Sequence, residues 1–145
     1  MLVNHNIYRH NTALGESQEN YLEAILILGE KQRPVRIKDI ARFLNVSRPA
    51  VVAAIGILAQ KGLVRHEHYG GVELTPKGRL CADGVYQRHL LLERFLREVI
   101  GVSREVAQRD ACRLEHALSQ ETIRGLRRLM QSHRLEPKGN STTRY

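Results

Sequence analysis

IKDIARFL (residues 37–44), NVS (45–47) and RPAVVAAIGILAQK (48–61) follow one another in the first half of this chain. In the first and third segments apolar residues recur every three or four positions, which predicts two amphipathic helices. The three residues between them leave room only for a tight turn. Ser47 can cap the second helix, and Pro49 is tolerated in its first turn. Gly62 is expected to end it, so the stretch predicts a helix-turn-helix.

After Gly62 the period of the apolar residues changes from helical to two. Residues 63–69 and 72–74 flank Gly70-Gly71, a pair that can adopt the positive φ angles of a tight hairpin turn. This pattern predicts a small β-ribbon. A helix-turn-helix followed directly by such a ribbon has the element order of a winged helix-turn-helix.

Further helices are predicted on both sides of this segment. The first begins with Ser17 as its cap and ends at the break around residues 30–34. A long fourth helix begins at Thr75, with Pro76 in its first position, and runs to about residue 99 before Gly101 stops it. Ser103 and Ser119 are placed to cap two more. The expected fold is mainly α: an N-terminal winged helix-turn-helix with a small β-ribbon, followed by a helical domain.

The positive charge of the chain is concentrated in the predicted winged helix. The formal net charge is +8, and residues 33–79 hold nine basic side chains against three acidic ones. Such a block favours binding of a polyanion, because neutralised phosphates release their condensed counterions. On charge alone, a solvated basic face explains the pattern equally well.

In a winged helix-turn-helix the second helix enters the major groove of DNA. Val51, Ile55 and Leu58 are spaced to face the core, so the opposite face is expected to lie nearer the groove. Few of its side chains form strong hydrogen bonds, and readout is expected to use thymine methyl groups and DNA shape. Basic side chains around it are expected to contact phosphates. The candidate DNA-binding residues are Lys38, Arg42, Ser47, Arg48, Pro49, Val52, Ala53, Gln60, Arg65, His68 and Lys77, with Gly56 on the same face. A winged helix used for protein contacts is the alternative.

Metal-binding side chains recur at helical spacing on three of the predicted helices. A thiol, a carboxylate and an imidazole stand at i, i+3 and i+4 in CRLEH (112–116), and two shorter pairs share a face on other helices. Mixed N, O and S donors suit iron(II), manganese(II), zinc or cobalt better than calcium or magnesium. Each fragment alone is more often a buried thiol or a polar surface pair than a metal site. The candidate ligands are Asn20, Glu23, His89, Glu93, Cys112, Glu115 and His116.

Four motifs together give the chain a family resemblance. They are ENYLE (19–23), LTPKG (74–78), HLLLERFL (89–96) and DACRLEHALS (110–119), the last being the most specific. From about Ser17 to Met130 the chain resembles the diphtheria toxin repressor and manganese transport regulator family. The resemblance implies a homodimeric repressor that binds operator DNA when loaded with a divalent metal and controls metal-homeostasis genes. It also places all seven candidate ligands on family ligand positions.

Departures from the family pattern leave the physiological metal open. The manganese branch has an aspartate and the iron branch a methionine at Asn20, whereas Glu23 matches the manganese type and Cys112 the iron type. Gln108 stands where the iron-type ancillary site has a histidine. The resemblance therefore implies Fe²⁺ or Mn²⁺ as cofactor, with Zn²⁺ or Co²⁺ as possible surrogates. Within the family, the chain resembles the short, two-domain branch, which lacks an SH3-like domain.

These observations divide the chain as follows. We expect a flexible arm over residues 1–15, a winged helix-turn-helix DNA-binding domain over 16–78, a helical metal-binding and dimerisation domain over 79–136, and a flexible tail over 137–145. No stretch reaches the roughly 18 apolar residues of a membrane span, and no signal pattern precedes the first helix. Two cysteines are too few for a disulfide scaffold. We therefore expect a cytoplasmic protein.

The resemblance also implies a switch based on charge. Without metal, Glu23, Glu93 and Glu115 are expected to repel one another and loosen the first helix.

Three other functions remain as alternatives. The first is a winged-helix regulator whose thiol senses oxidation without a regulatory metal. The second is a metal-dependent hydrolase with Glu115 or Glu93 as general base, which the lack of a loop-rich pocket disfavours, so no enzyme is expected. The third is an interaction module with a structural metal.

Overall fold

In a computed structural model of the chain, residues 14–67 and 70–135 are described. The predicted tail, most of the predicted arm and the candidate DNA-binding residue His68 lie outside the described residues. The chain divides into two compact units, residues 1–87 and 88–145. The elements in chain order are α1 (Glu16–Gly29), α2 (Ile37–Leu44), α3 (Arg48–Gln60), β1 (Val64–His66), β2 (Val72–Leu74), α4 (Pro76–Phe95), a π-helical turn (Leu96–Ile100), α5 (Arg104–Ala117) and α6 (Gln120–Leu135).

The helix-turn-helix forms as its sequence predicts. Asn45 adopts a left-handed conformation, with a φ angle of 54°, and ends α2. The Ser47 hydroxyl accepts a hydrogen bond of 3.3 Å from the Ala50 amide and so caps α3. Val51, Ile55 and Leu58 are fully buried, which confirms the predicted core face of α3.

The wing is a two-stranded antiparallel ribbon, but its turn differs from the prediction. β1 and β2 pair Val64 with Leu74 and His66 with Val72, so five residues connect the strands instead of two. Gly71 does not have a positive φ angle; a Cβ atom there would overlap Pro34 and the Val35 carbonyl. The glycine is needed for close approach of the preceding loop and not for a tight hairpin turn.

The start of α4 fastens this helix to the end of α3 and the start of the wing. The Thr75 hydroxyl accepts from the Gly78 amide at 3.1 Å, as a helix cap does, and donates to the Gly62 carbonyl at 2.6 Å. The Thr75 amide donates to the Leu63 carbonyl at 3.0 Å. A Cβ atom on Gly78 would overlap that same carbonyl. The Thr-Pro-Lys-Gly motif is therefore a joint between helix and wing.

One predicted helix cap is wrong, and one helix changes its geometry before its predicted end at Gly101. Gly15, and not Ser17, is the N-cap of α1, because the Glu19 amide already bonds to the Gly15 carbonyl and Ser17 lies inside the first turn. The regular part of α4 stops at Phe95, and the chain continues as a π-helical turn until Gly101, whose φ angle of 85° ends it. Ser103 and Ser119 cap α5 and α6 as predicted.

Each unit has its own apolar core. In the first unit Leu22, Ile25, Ile40 and the buried face of α3 are packed together. In the second unit a smaller cluster forms around Leu92, Ala111 and Ile123. In the part of the chain that the structure describes, no single helix is long and apolar enough to span a membrane; α2 and α3 pass that test only as a pair, which is bent by 108°.

Candidate DNA-binding surface and metal centre

The exposed face of α3 is small and weakly polar. Val52 is 50% exposed, and Ala53 and Gly56 lie on the same side of the helix, with Arg48 and Gln60 towards its two ends. Only the last two side chains can form strong hydrogen bonds with base edges. This face can therefore approach DNA closely, with apolar contacts to bases in its middle.

All the candidate DNA-binding residues that the structure describes are exposed, and all of them lie in the first unit. They are Lys38 and Arg42 on α2; Ser47 at the start of α3; Arg48, Pro49, Val52, Ala53 and Gln60 on α3; Arg65 on β1; and Lys77 on α4.

The partners of the basic side chains separate them into two groups. The Arg42 guanidinium lies 3.9 Å from the Asp39 carboxylate, and the Lys77 ammonium donates to the Lys61 carbonyl at 3.4 Å. Among the described residues, no carboxylate lies within ion-pair distance of Lys38, Arg48 or Arg65. These three cations need not break an existing interaction to contact a phosphate.

Candidate ligands converge on one side of the second unit, where α4 and α5 bring five of them together. The Nδ1 atom of His89 lies 2.9 Å from Oε2 of Glu115 and 3.7 Å from Sγ of Cys112. Its Nε2 atom lies 3.8 Å from Oε2 of Glu93. On the other side of Glu115, Oε1 lies 3.1 Å from Nε2 of His116. The spacings predicted along each helix thus produce one cluster of nitrogen, oxygen and sulfur donors.

Burial distinguishes the members of this cluster. Glu115 is 1% exposed, and the side chains of His89, Glu93 and His116 are exposed by 14% or less. Cys112 is exposed, so the alternative of a small buried apolar residue does not describe it. A carboxylate buried this deeply needs a cationic or hydrogen-bonding partner on each oxygen.

Hydrogen bonding and burial shift the pKa values of the two central groups. Hydrogen bonds with Cys112 and Glu115 raise the pKa of His89 to about 10. Burial is the largest single effect on Glu115 and raises its pKa, but hydrogen bonds from His116 and His89 outweigh it and hold the pKa below its usual range. Both shifts favour a protonated His89 beside an ionised Glu115 at neutral pH.

Within the second unit, Glu93 and Glu115 have neighbours that offset their negative charge. Glu115 lies between two imidazoles, and Glu93 has the Arg97 guanidinium 3.7 Å away. Sequence reasoning missed Arg97, although its position four residues after Glu93 on one helix is a typical ion-pair spacing. Each of the two carboxylates thus has a cationic neighbour.

The residues present fit a divalent transition ion. Ligands around one such ion lie about 2.0 to 2.3 Å from it, so neighbouring ligand atoms are separated by roughly 3 to 4 Å, as those around His89 are. Imidazole, carboxylate and thiol together suit a borderline ion such as iron(II), manganese(II) or zinc.

The two remaining metal candidates, Asn20 and Glu23, belong to the first unit. Asn20 and Glu23 are one turn apart on α1, and both are partly buried and engaged in interactions. Gln108, at the position of the missing ancillary histidine, is exposed on α5.

In a comparison with known proteins, both halves of the chain match domains of one family. Residues 13–72 match the family model of the iron dependent repressor N-terminal DNA binding domain, and residues 75–144 match that of the iron dependent repressor metal binding and dimerisation domain. An HTH-type transcriptional regulator MntR of Geobacillus kaustophilus is 41% identical over 115 residues, which cover 79% of this chain and 81% of the relative. An uncharacterized HTH-type transcriptional regulator of Methanocaldococcus jannaschii is 36% identical over 81% of this chain and 95% of its own.

Solved structures of regulators have the same fold. A manganese-dependent transcriptional repressor in complex with manganese superposes with a TM-score of 0.73 at 33% identity and covers 79% of this chain. The manganese regulator SloR superposes with a TM-score of 0.69 at 31% identity. This chain spans about half the length of these two solved chains, 52% and 53%.

Proposed function

The chain belongs to the iron-dependent repressor family of metal-dependent transcriptional regulators, and from this premise we propose which of its residues hold the metal and which contact the operator. It is a DNA-binding repressor whose cofactor is a divalent transition metal, iron or manganese, and whose partners are operator DNA and a second copy of the chain. The observation that carries the proposal is the convergence of His89, Cys112 and Glu115 in the second unit.

The proposed ligand set comprises Asn20, Glu23, His89, Glu93, Cys112, Glu115 and His116. The spacing of the donors around His89 and the burial of Glu115 support the part of this set carried by α4 and α5. Asn20 and Glu23 enter the proposal through the match of α1 to the family motif, and both are on one face of that helix.

A bound divalent ion would supply positive charge where the protein otherwise holds a proton on His89. The chain's own residues do the rest. Glu115 orients both histidines through its two oxygens, and Cys112 and Glu93 present a thiol and a carboxylate to the two ring nitrogens of His89. Fixed orientation of this kind is what makes a ligand set selective and tight. We propose that loading this set restricts α1 and thereby the separation of the two recognition helices in the dimer, which must match half-sites about one helical turn apart.

For DNA, we propose that α3 enters the major groove. Val52 and Ala53 contact thymine methyl groups, Arg48 and Gln60 hydrogen-bond at the ends of the helix, and Ser47 positions α3 through its cap. Lys38 and Arg65, which lack carboxylate partners among the described residues, are proposed as phosphate contacts.

Two of the predicted phosphate contacts have competing interactions. Arg42 and Lys77 are assigned weaker phosphate contacts, because Asp39 and the Lys61 carbonyl already occupy them.

The relatives that match this chain are transcriptional regulators. We propose that the chain, like them, acts without enzymatic activity, and that it works in the cytoplasm, where the chromosome of its prokaryotic relatives lies. A thiol-based sensor that needs no metal is not favoured, because Cys112 stands among carboxylate and imidazole donors and the second half of the chain matches a metal-binding domain.

The test is a comparison of Glu115→Gln and His116→Gln with Glu105→Gln, an exposed carboxylate on the first turn of the same helix. Operator affinity is measured by fluorescence anisotropy with chelator and with manganese(II) or iron(II) under anaerobic conditions. We expect wild type and Glu105→Gln to gain affinity on metal addition, and the two site variants to lose that gain while remaining folded dimers by sedimentation. If both site variants gain as much operator affinity on metal addition as wild type does, this cluster is not the regulatory site.

A further inference from the structure

A basic groove lies beside the recognition helix on the side of the wing. It has a volume of about 670 Å³ and is open to solvent. Its walls include the residues before α2, the first residues of α2, the wing loop and Val52 of α3. Since Val52 lies in the middle of the face proposed to read bases, the groove borders the DNA-binding surface.

Arg36 lines this groove, and its backbone is held in place. Its backbone forms the N-cap of α2. Its neighbour Val35 exchanges two hydrogen bonds with Val72 of the wing, at 3.1 and 2.7 Å. The side chain is exposed, and no carboxylate in residues 14–67 or 70–135 lies within ion-pair distance of it. The junction between α2 and the wing therefore carries, on a fixed backbone position, a guanidinium that has no carboxylate partner among the described residues.

The second arginine of the groove is different. Arg33 donates to the Gly29 carbonyl at 2.8 Å and lies 3.7 Å from the Glu30 carboxylate. Its charge is already partly neutralised, and its planar head is already oriented. A phosphate in this groove would therefore gain more from Arg36 than from Arg33.

We propose that Arg36 contacts a backbone phosphate of operator DNA in this groove, next to the bases that Val52 reads. This inference rests on the proposed function, and it adds a residue that charge and helical position did not single out. The contact fixes the register of α3 on the duplex and carries no base specificity of its own.

The experiment measures the affinity of the full-length, metal-loaded protein for an operator duplex and for an unrelated duplex of equal length, at several salt concentrations. Each phosphate contact contributes about 0.9 to the slope of log affinity against log salt. A dimer has two copies of Arg36, so Arg36→Gln should lower the slope by about 1.8. Between 50 and 200 mM salt, wild type should then lose about 12-fold more affinity than the variant.

Two further variants make this assignment specific. Arg36→Lys keeps the charge and should keep the wild-type slope. Arg33→Gln removes a charge from the same groove and should change the slope by less than half as much, because Arg33 is already paired. Equal effects of Arg36→Gln on both duplexes support a backbone contact, whereas an effect on the operator alone would overturn it in favour of base recognition.

The outcomes separate this inference from the proposed function. If wild type shows no salt-dependent binding to either duplex, the proposed function fails. If wild type binds as expected and Arg36→Gln keeps its slope, or Arg33→Gln lowers the slope as much as Arg36→Gln does, only the assignment of Arg36 fails.

Discussion

Replacing Gly78 with alanine tests whether the joint between α4 and the wing holds the first unit together. A Cβ atom at this position would overlap the Leu63 carbonyl, which also accepts the Thr75 amide hydrogen bond. The added Cβ atom and the Leu63 carbonyl both belong to backbone segments that cannot shift freely, so α4 or the residues before β1 have to move. We expect Gly78→Ala to lower the free energy of unfolding by about 3 kcal/mol or more, a cost typical of severe overpacking.

Gly84 provides the matched control on the same helix. A Cβ atom on Gly84 meets nothing within 4 Å. Alanine is favoured over glycine inside a helix by roughly 0.5–1 kcal/mol, so Gly84→Ala should raise the free energy of unfolding by up to about 1 kcal/mol. The same glycine-to-alanine change at two positions of one helix is thus expected to change the free energy of unfolding in opposite directions. The two variants should differ in this free energy by about 4 kcal/mol.

Urea unfolding followed by circular dichroism gives both values from one assay. A midpoint for Gly78→Ala equal to that of wild type would show that the joint relaxes without cost, and the argument from close approach would be refuted. If both variants lose stability equally, the effect belongs to α4 in general and not to its contact with Leu63.

Two further predictions concern the site and the recognition helix. Because the folded pKa of His89 is about 10 and lies above the ordinary value of 6.5, its contribution to stability is complete below pH 6.5 and is lost as the pH rises through 10. The free energy of unfolding of chelated protein should therefore fall over that range, and this fall should be absent in His89→Gln; equal pH dependence in both proteins would contradict the assignment. On α3, Ile55→Ala should cost roughly 2–5 kcal/mol because Ile55 is fully buried. Val52→Ala should change the free energy of unfolding by less than about 0.5 kcal/mol but weaken operator binding. Urea unfolding measures the first effect and fluorescence anisotropy the second. If Val52→Ala lowers stability without lowering operator affinity, Val52 is a core residue and not a DNA contact.

Local signals in the sequence were sufficient to predict where the helices form, although Gly15 and not Ser17 caps α1. Ser47, Ser103 and Ser119 cap their helices because a hydroxyl before an amphipathic run has a free amide to bond within one turn. The helical spacing of Cys112, Glu115 and His116 likewise placed them on one face of α5. Their meeting with His89 could not be read from spacing, because it depends on how α4 packs on α5; the family resemblance supplied that step.

Contacts between distant segments explain what the sequence did not predict. The Gly70-Gly71 pair indicated a two-residue turn, but Gly71 is required for a different reason, because Pro34 and the Val35 carbonyl approach it closely. In the same way, Arg36 appeared equivalent to the other basic residues of the block. Only the partners of Arg33, Arg42 and Lys77 distinguish these residues from Arg36, which we propose as a DNA contact.

The donors around His89 predict a competition between a proton and a metal ion. His89 holds its proton because Cys112 and Glu115 surround Nδ1, and these are the same atoms proposed to bind metal. An imidazole must lose its proton before it can be a ligand, so metal binding is coupled to proton release. The donors are already assembled, which lowers the cost of ordering them, but the proton must be displaced, which lowers affinity at acid pH. By linkage, any increase in operator affinity caused by metal is matched by an equal increase in metal affinity caused by operator. As the pH falls, more metal is needed to reach the same occupancy of the site.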